Sequence, residues 1–446
     1  KFFGIDCGKW AGHPYVNFYD AEQYIENPEP IVNVTYEKAL ELARMAAQSA
    51  ERASERITEL GGDGTKISSP VSAFQNEYNS LKLPKLYNMP VQALEMAFDT
   101  LHGSWLECYK YGHFDNVYDY DANSSYAADL RNLIDLRCGH WEISDIIPDK
   151  AYYGFAEGEI ETQSPFHPFI ERSGEDTLGS YSVTGKWQRN MTLQEIKHLY
   201  AYKLGDYKVT KGIWWTLDRQ PVYPFRDMID TLYNKRAKSE DWLTRKILHR
   251  RMAGTWGKLL ELRQGKFGEF YNSIYGCIVE TNTRLRLSKT CLDNDILPVS
   301  VAVDGFVSER PIKESSKAIG KFRLAAEGKC IALNSTTVAI EGKDSNAQFA
   351  VKYDWLIDCI NKQPFKDCYT LKGYSPVTLG EALQYNKLDK LGELELIKRS
   401  VYVEPDNKRM WQNRATNGYE LLKTQETSTA YDVNVIKNLE HITEVI

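Results

Sequence analysis

Apolar and polar positions follow one another along this chain in two different rhythms. Aromatic and β-branched stretches predict strands at 105–109, 117–122, 152–160 and 179–187, and 207–217 alternates as a half-buried strand does. Helical segments are expected at 35–60, 90–98, 192–204, 225–262 and 273–292. The first is rich in Ala, Glu, Arg and Leu and is closed by Gly61-Gly62. The third opens with Thr192-Leu-Gln-Glu195, a capping box in which hydroxyl and carboxylate satisfy each other's backbone amides. Residues 297–308 (LPVSVAVDGFVS) predict a strand, a tight turn and a second strand, with 319–322 as a further strand. Residues 1–19 are strand-like, 61–70 form a linker, and 378–385 predict a short helix.

This mixture points to an α+β chain. Its 446 residues are enough for two to four domains, and 42% hydrophobic with 26% charged residues is ordinary for a globular protein. No run approaches the roughly 18–20 apolar residues of a membrane span, and no secretory signal is read, so no membrane partner is expected. Eight cysteines without a C-x-x-C pair argue against a zinc module or a dense disulfide framework. They suit reduced thiols in a cytoplasmic compartment. The net charge of −6 excludes a uniformly basic nucleic-acid binder but not one with a local basic stripe. Such a stripe exists: 225–262 carries Lys235, Arg236, Lys238, Arg245, Lys246, Arg250, Arg251, Lys258 and few acids. Clustered Arg and Lys on one helix can be a solvated face or a phosphate-binding one.

Chemistry concentrates where 117–122 meets Asn123-Ser124-Ser125. A carboxylate at a strand end, beside the freed amides of a helix start, suits a divalent metal and a triphosphate. The run Asp121-Ala-Asn-Ser-Ser-Tyr126 resembles motif A of family B DNA polymerases, where Asp begins a D-x-x-S-L-Y-P-like run. Downstream, His249-Arg-Arg-Met-Ala253-Gly-Thr-Trp256-Gly257-Lys258 resembles motif B, roughly K-x-x-x-N-S-x-Y-G-K, with Arg245 at an earlier basic position. His stands for Lys and Ala for Asn. Asp304 matches the second Asp of motif C, Y-x-D-T-D-S, and Ala302 stands at the first. The three are collinear across 101–322, which is similar to the protein-primed branch found in phages and linear plasmids.

That resemblance implies a right-hand fold: a palm of antiparallel sheet in 101–224 (with an insertion) and 266–345, helical fingers at 225–265, and a small thumb within 346–446. Residues 1–100 would form an N-terminal domain without a recognisable complete exonuclease. The implied activity is DNA-directed DNA polymerisation, transferring dNTPs to a primer 3′-hydroxyl with Mg2+ or Mn2+ held by Asp121, Asp304 and the Ala122 backbone. Asn123, Ser124, Tyr126, Arg245, Lys246 and His249 would bind the nucleotide. His249 would also protonate the leaving pyrophosphate, and Tyr126 would exclude a 2′-hydroxyl. Arg250, Arg251, Trp256 and Lys258 would bind DNA. The partners implied are a primer–template and a priming protein or other replication proteins. The short stretch between Lys258 and Arg284 implies that the second insertion, associated with processive strand displacement, is reduced or absent. Ala302, Ala253 and the missing K-x-Y primer motif keep a second reading open, a catalytically degenerate DNA-binding or structural subunit.

Overall fold

The computed structural model describes residues 36–66, 70–172, 180–263, 266–343, 351–376, 390, 394–405 and 407–435. The strand expected at 1–19 and the helix expected at 378–385 lie outside the described residues. The chain divides into two compact units, each built from separated segments. One comprises residues 1–81, 230–255 and 344–402; the other comprises 82–229, 256–343 and 403–446. Among the described residues no helix is long and apolar enough to cross a membrane.

Strands are numbered in chain order: β1 Leu106–Cys108, β2 Lys110–Ala122, β3 Gly139–Ile143, β4 Ala151–Thr162, β5 Ile170–Arg172, β6 Ser180–Thr192, β7 Asp206–Leu217, β8 Leu262–Arg263, β9 Lys266–Phe267, β10 Ser300–Ala302, β11 Gly305–Ser308, β12 Phe322–Asn334, β13 Thr337–Ile340, β14 Cys368–Pro376, β15 Leu394–Tyr402, β16 Gln425–Thr427 and β17 Tyr431–Asp432. In the larger unit, an antiparallel sheet runs β1-β10-β11-β2-β12-β13, with β16 also on β2. Its central strand is longer than the expected 117–122. The segment before Val117, where the buried Tyr111 and Phe114 stand among polar residues, is held by pairing with β12 and β16, partners remote in sequence. Bulges between Leu324 and Ala326 and between Gly328 and Cys330 let β12 bend along β2.

The side-chain period of two sorts this sheet into a dry and a polar face. Tyr120 and Ala122 pack with Val301, Phe306 and Phe322 in the core beneath it, together with Leu287 and Cys291. Asp119 and Asp121 therefore point the other way. The helix Ser273–Asp293 lies under the sheet and is buried along most of its length, with Asn272 as its cap, accepting from the Tyr275 amide at 3.0 Å.

A second sheet runs β17-β6-β4-β7-β3, with β5 on β6. The helix Leu193–Ala201 covers it, and its capping box is present as expected. Deep in this unit, Glu107 and Arg409 form an ion pair of 2.7 Å with neither side chain exposed. Trp105, Tyr109 and Ser182 donate to the same carboxylate.

In the smaller unit the helix Tyr36–Glu59 buries Ala50, Ala53 and Ile57. The long hairpin of β14 and β15 pairs from Cys368↔Tyr402 to Pro376↔Leu394. The helical stretch expected at 225–262 is two helices, Arg226–Lys238 and Trp242–Leu259, of which residues 230–255 belong to this unit. The break falls where the Asp241 carboxylate accepts from the Thr244 amide and hydroxyl, turning a charged residue into a local cap.

Candidate active site

The hairpin between β10 and β11 brings Asp304 to the end of β2. Register pairs Ala302 with Gly305 and Gly305 with Asp121, so the three share one row across the sheet. The Ala122 amide donates to the Asp304 carbonyl at 3.0 Å. Gly305 is required by close approach, because a Cβ there would lie 2.8 Å from the Tyr120 carbonyl oxygen. The turn residue Val303 has φ +59°, an uncommon conformation for a β-branched side chain. Its amide donates to the Trp105 carbonyl at 2.8 Å, which helps hold the turn that presents Asp304.

Burial first, and then the Asp121 carboxylate, push Asp304 up to about 6, with its own backbone amide and Arg286 acting the other way. Asp121 accepts from Arg323 at 2.9 Å, and Asp119, two residues earlier on the same face, pairs with Lys343 at 2.7 Å. Asp119, Asp121, Arg323 and Lys343 line a cleft of about 440 Å³ together with the small residues Ala302 and Gly305, while Asp304 lies outside its lining. Among the described residues, no three His, Cys, Asp or Glu side chains converge as a metal cluster. The Asp121 and Asp304 carboxylates, carried by neighbouring backbone and coupled through space, are hard oxygen donors of the kind Mg2+ takes, an ion that leaves most of its positions to water and phosphate oxygens.

Beyond Ala122 the chain turns through Asn123 and Ser124 into the helix Ser125–Asn132. Asn123 is pinned by its amide on the Lys321 carbonyl (2.9 Å) and its carbonyl on the Gly320 amide (2.7 Å). Ser124 takes φ +54° and gives the helix no side-chain cap, so the first-turn amides lack that partner. Tyr126 stacks on Trp256, centroids 4.7 Å apart at 25°. Burial pushes the Tyr126 phenol up to about 12, and it hydrogen-bonds Ser104. The Trp256 indole donates to the Gly276 carbonyl at 3.1 Å.

Of the expected site residues, Asp121, Ala122, Asn123, Ser124, Tyr126, Trp256, Lys258 and Asp304 belong to the larger unit. Arg245, Lys246, His249, Arg250 and Arg251 belong to the smaller one. There Arg245 is exposed, and Lys246, His249 and Arg250 are half-buried. Burial, then Arg250 and Arg236, hold Lys246 below its ordinary value. Arg251 differs from its expected role as a DNA contact. It is 5% exposed, lies 3.5 Å over the Phe74 ring, and pairs with Glu77. The helical period turns it inward, so its charge is committed within the unit. Lys258 is occupied by Glu261 at 3.0 Å.

Four residues at this site were not singled out in the sequence: Asp119, Arg286, Arg323 and Lys343. Asp119 carried a signal, its i, i+2 spacing from Asp121 on a strand. The other three reach the site through tertiary contacts alone.

No protein-family model and no curated protein sequence matches this chain. Solved structures do. Phi29 DNA polymerase in an orthorhombic crystal form superposes with a TM-score of 0.56 at 13% identity, over 83% of this chain and 73% of that one. The same polymerase with single-stranded DNA gives 0.55 at 13%, and with primer–template DNA 0.54 at 14%, over the same shares of each chain. The likeness is one of architecture, and this chain has a polymerase-like fold.

Proposed function

We propose that this protein is a DNA-directed DNA polymerase of the protein-primed family B type. The observation that carries this reading is the meeting of Asp121 and Asp304, from strands far apart in sequence, beside a helix start without a side-chain cap in a polymerase-like fold. In this reading the antiparallel sheet is the palm, the basic helices are fingers, and the β14–β15 hairpin belongs to the thumb. Asp121, Asp304 and the Ala122 backbone hold Mg2+ or Mn2+, whose chemistry when bound is to acidify the primer hydroxyl and offset charge on pyrophosphate. Asn123, Ser124 and the following amides receive triphosphate oxygens, since amides at a helix start attract anions. Arg245 and Lys246 supply further charge. His249 donates a proton to the leaving group, a role open to imidazolium near neutral pH. Tyr126, held by Trp256, packs beneath the sugar and disfavours a 2′-hydroxyl. Arg250 and Lys258 lie along the DNA; Arg251 is assigned to the core instead.

The hairpin of β8 and β9 stands where the resemblance implies a second insertion, which fits weak processivity. The β3–β7 insertion is the surface offered to a priming protein or another replication protein, in the cytoplasm where a phage or linear plasmid would replicate. A second reading, a polymerase-shaped DNA-binding subunit, is favoured by Ala302 and by Arg323 lying on Asp121. Extension of a primed template under Mg2+ or Mn2+ separates the two. Wild type should extend and Asp304→Asn should not; a wild type that binds primed DNA without extending it leaves the subunit reading.

A further inference from the structure

Arg286 sits on the long buried helix Ser273–Asp293, outside motifs A, B and C. Its Nη1 donates to Ser125 Oγ at 2.6 Å and to the Ser125 carbonyl at 3.3 Å, and its Nη2 donates to Asp129. Asp129 also accepts from the Thr283 hydroxyl at 3.2 Å. One guanidinium therefore spans positions i and i+4 of the helix that follows Asp121. The opposite side of the same turn is gripped by Gly320 and Lys321 through backbone bonds to Asn123. Gly320 has φ +74°, and a Cβ there would lie 2.7 Å from the Ala128 Cβ, so this grip too is closely fitted. Ser125 is 2% exposed, which keeps its hydroxyl inside the protein and away from any nucleotide.

A helix start with no side-chain cap of its own must be aimed by its surroundings. We propose that Arg286 is a positioning residue that aims the 123–126 turn, setting its amides for the triphosphate of an incoming nucleotide. This rests on the polymerase reading and goes beyond it, naming the residue that organises the nucleotide-receiving turn. Both contacts need the planar fork of Arg; a lysine ammonium has the charge but not the reach in two directions.

The test uses full-length protein on a primer–template whose primer ends in a dideoxynucleotide, titrated with the matching Mg·dGTP. Nucleotide affinity is read from stabilisation of the ternary complex, DNA affinity without nucleotide, and folding by thermal melting. Arg286→Ala and Arg286→Lys should each weaken dGTP binding about tenfold, with primer–template affinity within about twofold. Ser125→Ala, which deletes only a buried hydroxyl, should move nucleotide affinity in the same direction at nearly unchanged melting temperature. The double variant Ser125→Ala/Arg286→Ala should be no worse than Arg286→Ala, since residues acting as one unit are not additive. Unchanged dGTP affinity in folded Arg286→Ala and Ser125→Ala would overturn the proposal. So would rescue by lysine, or a loss shared equally by DNA binding and melting, which would make Arg286 a plain helix staple. A wild type that neither extends a normal primer nor binds dGTP sinks the polymerase reading itself. A wild type that does both beside an unaltered Arg286→Ala sinks only this inference.

Discussion

Replacing Arg409 by Met should cost this protein far more than a surface charge would. Glu107 and Arg409 are fully buried, 2.7 Å apart, and Arg409 also donates to Ser428 Oγ at 2.7 Å and the Pro165 carbonyl at 3.0 Å. Breaking a buried pair by removing one partner costs about 3–5 kcal/mol, because the remaining charge is stranded in a poor dielectric. Glu107 keeps Trp105, Tyr109 and Ser182 as donors, so the lower part of that range is expected. The sign with pH is specific. In the native protein burial pushes the Glu107 carboxyl up, but Arg409 and the hydrogen bonds outweigh it and hold the group below its ordinary 4.5. That contribution is complete above pH 4.5 and is lost as pH falls through the depressed native value. Without Arg409 the burial effect wins, the folded carboxyl rises above 4.5, and acid should favour the folded variant. The stability gap between wild type and Arg409→Met should therefore shrink as pH falls from 7.5 to 5. Urea unfolding followed by tryptophan fluorescence measures this, since Trp105 donates to the carboxylate. Glu107→Gln/Arg409→Met, which keeps an acceptor and buries no charge, should recover most of the loss. A gap below about 1 kcal/mol, or one that is the same at both pH values, would refute the reasoning.

Three further outcomes are expected. Because Asp304 is pushed up to about 6, a cation must displace its proton at lower pH; Mn2+ affinity measured by calorimetry should fall about tenfold between pH 7 and 5, and a flat profile would count against a shared Asp121–Asp304 site. Tyr126→Ala should raise ribonucleotide incorporation relative to deoxynucleotide, as checked by extension with each nucleotide set, whereas unchanged discrimination in a folded variant would make Tyr126 an ordinary packing residue. Arg245→Ala should weaken nucleotide use about tenfold, the worth of one charge-assisted phosphate contact of roughly 1.5–3 kcal/mol. Arg250→Ala should instead flatten the salt dependence of DNA binding by about one unit of slope, and Arg251→Ala should lower melting temperature without either signature.

Local pattern was enough for much of the chain. The Thr192–Glu195 box, the strand-to-helix turn at 121–126 and the β10–β11 hairpin are short-range features, set by caps and turn chemistry within a few residues. Their order along the chain was sufficient to suggest a polymerase-like architecture. The length of β2 was not legible, because its first half mixes Tyr111 and Phe114 with Gly112, His113, Asp115 and Asn116, and it pairs with β12 and β16, remote in sequence. Nor was the direction of Arg251, which local charge made a candidate for DNA and packing against Phe74 and Glu77 turned inward. Glu107 and Arg409 lie 302 residues apart, a pairing that no sequence period encodes. The same holds for the site. Sequence supplied two carboxylates and a turn, while the fold decided that the hairpin carrying Asp304 pairs beside Asp121, that Arg323 pairs with Asp121, and that Arg286 bonds Ser125 in the turn after it. Charges act through space rather than along the chain, so their partners were fixed only when the sheet closed.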